Sequence, residues 1–206
     1  YAPVDHQNLP IIKSTLSAEP EIIAFMDPAN SSTVDLATEQ ASLGRLVFII
    51  VNQPSAGLAL KNALALSSDP KATLQAVTAT TSLTTIKSIR RSSVNHNLTD
   101  QLLDQLETFF GVDGKSGWVD LFGHAKLTLS EPVLPIATEY GPLTSLIEIL
   151  NVNEELKTAL AKNSSTESDV ITWLAIRSGM LTRRHDGLVR ALQGELDIAD
   201  VVSVTS

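Results

Sequence analysis

The 206-residue sequence has no cysteine. That excludes a disulfide framework, a thiolate metal site and a cysteine nucleophile. Aromatic residues are scarce, with five Phe, two Trp and two Tyr, too few for a surface that stacks bases. The charged fraction is 18%, against about 25% in an average soluble domain. Long apolar runs are missing too. The longest is the six-residue stretch 46–51, far below the ~18 residues of a membrane span. A hydrophobic fraction of 43% still argues for a packed core and against intrinsic disorder, and the length suits one domain or two very small ones.

Serine and threonine take the place of the missing charge, with 21 Ser and 19 Thr. A surface that is polar but weakly charged loses little on desolvation, and it suits packing against other protein, copies of itself included. The sequence begins with Tyr1, as expected of a processed chain, a trimmed one or one whose start was not seen. Sequons at Asn30, Asn97 and Asn163 are about as frequent as chance allows in so Ser/Thr-rich a chain, so they say nothing of secretion. The compartment stays open, an extracellular setting and an assembled particle both being compatible with this composition.

Along the chain, Pro3, Pro10, Pro20 and Pro28 break up residues 1–32, since proline blocks a helix interior. The reading there is an irregular arm with one short helix near 21–26. Residues 33–206 read as a single helical domain. A helix starts at Thr33. The run 46–51 is apolar on every side, so its period does not separate a buried helix from a buried strand; its polar lead-in favours helix. Pro54 opens a helix to about Ser67, and Asp69-Pro70 caps another that reaches Arg91.

The strongest pattern is 98–110, where Leu98, Leu102, Leu106 and Phe109 share a face and Gly111 supplies a stop. Residues 126–130 alternate and predict a short edge strand, with Pro132 and Pro135 preventing a long one. Leu143, Leu146, Ile147 and Leu150 lie at helical spacing after Pro142. Asn153 caps the next helix, Ser164 and Glu167 form a capping box, and Thr182 to Gln193 is a last helix ended by Gly194. An apolar tail, 196–204, docks on the body or on a neighbour. The sum is an all-α fold: a compact multi-helix bundle with a Pro-rich arm, a short edge hairpin and an apolar C-terminal tail.

Catalytic motifs fail one by one. Gly114-Lys115-Ser116 suggests a phosphate-binding loop, but Phe109 stands where its first glycine must be, and the loop follows a predicted helix where the motif needs a strand. As a calcium hand the same loop offers Phe109 and Gly111 at positions that need oxygen ligands. As a nucleophile elbow around Ser116 it places Trp118 where a second glycine belongs. His6, His96, His124 and His185 show no metal-ligand spacing. Neither a metal nor another cofactor is called for.

The charge map is more informative. Between Asp69 and Asp100 there is no acid, while Lys71, Lys87, Arg90 and Arg91 are present. A second island holds Arg177, Arg183, Arg184 and Arg190 against Asp186. Outside the islands stand seven cations and 22 anions, so the net charge of −8 hides two basic patches in a strongly acidic body. Arginine forks suit phosphate and carboxylate. Lys87, Arg90, Arg91, Arg183, Arg184 and Arg190 are therefore the expected anion contacts, to nucleic acid or to the acidic face of a neighbouring subunit. The bland alternative is intramolecular pairing.

These features predict a non-enzymatic, self-associating structural protein, most concretely a coat- or capsid-type subunit. Its partners would be copies of itself and, through the arginine islands, nucleic acid. Two rival readings are a helical binding module for a small or apolar ligand and a hydrolase or transferase with dispersed active-site residues.

Overall fold

A computed structural model describes residues 9–97, 133–162 and 168–205. The predicted helix at 98–110, the glycine-rich loop after it and the predicted strand at 126–130 lie outside those residues. Packing divides the chain into two compact units. One comprises Tyr1–Ser82 and Ile149–Met180, the other Leu83–Glu148 and Leu181–Ser206.

The first unit begins with α1 (Leu9–Leu16), β1 (Ile22–Pro28), α2 (Ser31–Ser42) and β2 (Leu46–Ile50). β1 and β2 are parallel, with Ile22 opposite Leu46, Ala24 opposite Phe48 and a register shift between Phe25 and Pro28. Asn30 caps α2 by accepting a 2.9 Å hydrogen bond from the Thr33 amide. Gly44, at φ 84°, allows the left-handed turn from α2 into β2. Inward residues of both strands, Ile23, Phe25, Val47 and Ile49, pack with Leu16, Leu36 and Ala37.

Next come α3 (Ala56–Leu66) and α4 (Pro70–Ala76). Ser55 and Asp69 cap them through the amides of Leu58 and Ala72. With α5 (Glu154–Lys162) and α6 (Ser168–Arg177) they enclose a second cluster around Leu60, Leu150, Leu156 and Ile171, all but sealed from solvent. A chain of hydroxyl groups ties these helices to α2. Thr38 bonds Thr73 at 2.9 Å, Thr73 bonds Ser67 at 2.7 Å, and Ser67 donates to Asp35.

β3 (Ala79–Asn97) and β4 (Val133–Asn151) form a second two-stranded sheet. Ser88 donates from its hydroxyl to the Pro142 carbonyl, and Arg90 pairs with Glu139, so the strands run in opposite senses. In the second unit, Ile86 of β3 and Leu146 of β4 meet α7 (Arg183–Leu192) and α8 (Ile198–Thr205). Leu188, Ala191, Leu192, Leu196 and Val201 complete that core. Gly187 is the point of closest approach: a Cβ there would lie 2.5 Å from a Val201 methyl. The apolar tail thus docks on its own unit.

The all-α expectation is overturned. Residues 21–26, expected as a helix, contain most of β1, and 46–51 contain β2. A stretch that is apolar on all sides looks the same in a buried helix and in a parallel strand. The helix expected to reach Arg91 stops at Ala76. The threonines that follow are stiff at χ1 and fit a pleated strand better than a helix turn.

At 143–150 a helical stripe competed with a period of two, and the structure follows the latter. Leu146, Glu148, Leu150 and Val152 are buried while Ile147 and Ile149 are exposed. Buried Glu148 masked that alternation. Its carboxylate accepts from the Arg183 amide at 3.3 Å.

Candidate functional site

An open groove of about 740 Å³ lies in the first unit at the amino ends of β1 and β2. The turn after α1 supplies Glu19, Pro20 and Glu21; the end of α2 and the start of β2 supply Leu43, Gly44, Arg45 and Leu46. Pro20 stops any continuation of α1. Glu19 is held at φ 52°, a conformation that costs a non-glycine residue energy and often marks a functional segment. Arg45 is positioned by its guanidinium, which donates to the Leu16 carbonyl at 3.4 Å and to the Gln40 amide oxygen.

The groove therefore presents two carboxylates and one guanidinium beside exposed Ile22, Leu43 and Leu46. It holds no nucleophile and no histidine. Sequence reasoning passed over this groove. Its available signal was Leu43-Gly44 after a polar helix end, the usual mark of a left-handed helix stop.

The residues expected to bind anions belong to the second unit. Lys87, Arg90 and Arg91 are on β3, and Arg183, Arg184 and Arg190 are on α7. The side chain of Arg91 lies outside the described set. Arg90, with 70% of its side chain exposed, pairs with Glu139 at 3.3 Å. The Lys87 ammonium sits 5.6 Å from the Tyr140 ring centre. Arg183 donates to the Thr84 hydroxyl of β3. Arg184 donates to the Thr205 carbonyl. Arg190 is held by Glu195 at 2.9 Å and by Thr144 and Ser145 of β4. The guanidinium groups fasten α7 to the β3–β4 sheet and to α8. Arg177, the remaining arginine of the second island, belongs to the first unit and stacks on Trp173 at 4.7 Å.

Among the described residues, Tyr140 holds its proton more tightly than a free tyrosine does. Its hydroxyl bonds Asp200, and this bond, with partial burial and the charges of Asp200 and Asp197, raises its pKa above the ordinary tyrosine value. Among the described residues no three His, Cys, Asp or Glu gather as a metal site. Among the same residues, no helix is long and apolar enough to cross a membrane.

Helices on parallel and antiparallel strands define an α/β fold, and the structural comparison agrees. The X-ray structure of the Legionella pneumophila ATPase DotB superposes with a TM-score of 0.61 at 12% sequence identity. The match covers 94% of this chain and 40% of that one, and identity this low speaks for the fold alone. In sequence, the chain is 40% identical over 68 residues to the type II secretion system protein E of Xanthomonas campestris pv. campestris. Those residues are 33% of this chain and 12% of that protein, so the chain spans a small part of its relative's length. No family model matches.

These likenesses overturn the coat- or capsid-type reading. A Ser/Thr-rich surface and a proline-rich N-terminal stretch are compatible with many proteins, and they carried no information specific to a coat. Nucleic acid as a partner finds no support in either likeness.

Proposed function

We propose that this chain is a secretion-ATPase-like segment that works in an assembly of copies. The observation that carries the reading is the superposition on the DotB ATPase across 94% of the chain, backed by the 40% identical stretch shared with a type II secretion protein E. The sequence contains no intact G-x-x-x-x-G-K-[ST] run, whose backbone amides would cradle nucleotide phosphates. We therefore assign these residues to assembly and coupling, with no phosphate cradle of their own. Exposed Arg90 and Lys87 are our candidate contacts to an acidic face of a neighbouring copy.

Sedimentation equilibrium across micromolar concentrations tests the assembly. A mass rising above the monomer is expected; a strict monomer, with and without Mg·ATP, overturns it. In parallel, Mg·ATP turnover by the chain alone is expected at background. Sustained hydrolysis would give these residues the phosphate site that the reading denies them.

A further inference from the structure

Among the described residues, the β1–β2 sheet has one covered face and one bare face. Outward from it point Ile22, Ala24 and Met26 of β1 and Leu46, Phe48 and Ile50 of β2. All six are apolar and all are exposed, the five large ones at 63% for Ile22, 66% for Met26, 51% for Leu46, 54% for Phe48 and 41% for Ile50. Parallel strands normally have both faces covered. The exposed apolar area of this patch is on the order of 500–600 Å², at the upper end of what a monomer leaves to water.

We propose that this bare face seats a second copy of the chain, sheet face against sheet face. The inference deepens the assembly reading above and rests on it. Two observations select a copy as the occupant. First, the patch carries no charge in a chain of net charge −8, so it is a place where like copies meet without repulsion. Second, its area approaches the roughly 800 Å² per partner of a standard interface, and the neighbouring groove side chains supply more.

A two-fold axis parallel to the strands sets amino end beside amino end and lays β1 of one copy over β2 of the other. Such an interface is isologous and closes as a dimer. Two apolar sheet faces pack about 10 Å apart with interleaved side chains.

The test uses the full chain. Phe48→Glu and, separately, Met26→Lys place a charge on the face; both positions are exposed, and circular dichroism checks that each variant folds. The expected result is a wild-type dimer and variants that sediment as monomers, with dimer dissociation constants raised at least tenfold.

The absence of native cysteine permits a direct proximity measurement. Ala24→Cys, treated with a bis-maleimide reagent spanning about 10 Å, is expected to give a covalent dimer, and the exposed control Thr158→Cys is not. An associating wild type whose variants associate equally well overturns this face while leaving the assembly reading standing. Variants that lose association without an Ala24→Cys dimer overturn the second copy as the occupant. A monomeric wild type overturns both.

Discussion

The two sheets of this chain solve the burial of a strand in opposite ways. β3, where it lies in the second unit, turns Ile86 inward and shows Leu83, Thr85 and Lys87 to solvent. Its outer side is mixed, as expected of a strand that faces water on one side. β1 and β2 have no such polar side. Their inner residues enter a core with α1 and α2, and their outer residues are uniformly apolar. The same alternation of burial therefore means different things. In β3 it is a finished surface, and in β1–β2 it leaves an apolar face exposed, the face proposed above to seat a copy.

Substitutions can break that comparison, beginning with the most damaging. Leu146→Ala removes a fully buried side chain where β4 meets α7 and is expected to cost about 2–5 kcal/mol in urea unfolding. A cost under 1 kcal/mol would mean that this core is not packed as described. Gly187→Ala forces a methyl onto Val201, 2.5 Å away, and should cost about 1–3 kcal/mol by the same measurement. On the bare face, Met26→Ser should change the unfolding free energy of the monomer by no more than about 0.5 kcal/mol. A large loss there would show that Met26 is covered within its own chain.

The smallest effect concerns pH. The folded chain holds the Tyr140 proton above the ordinary value of 10.0 because the hydroxyl donates to Asp200. Where the unfolded chain has already released that proton, the folded chain keeps it. The contribution is therefore complete below pH 10.0 and is lost as pH rises through the raised value. Tyr140→Phe should flatten that alkaline decline and slightly lower stability near neutrality, where the bond to Asp200 is lost.

Much of the helical framework was legible from caps alone. Asp69-Pro70 begins α4, Asn153 accepts from the Leu156 amide ahead of α5, and Thr182 accepts from the His185 amide at the start of α7. Gly179 and Gly194 stand at φ 93° and 83° just after α6 and α7. Caps are local chemistry, and local chemistry can be read along the chain.

The strands were not legible for a complementary reason. Whether 46–51 becomes a helix or a strand is decided by Ile22 and its neighbours more than twenty residues earlier. At 143–150 the decision depends on a burial pattern that includes a carboxylate. The arginines were found by charge counting, but charge counting says nothing of their partners. Only the structure shows Arg190 spent on Glu195 and β4. The groove at Glu19 and Arg45 escaped because its charges are ordinary and only their meeting is informative.

The most direct measurement of the α/β account is the backbone chemical shift of residues 79–90 and 142–150 in solution. The account predicts Cα and Cβ shifts typical of strands through both stretches, with cross-strand contacts between Ser88 and the segment at Pro142. Helical shifts from Leu143 to Leu150, with sequential amide contacts along them, would contradict it and remove the structural basis for likening this chain to a secretion ATPase.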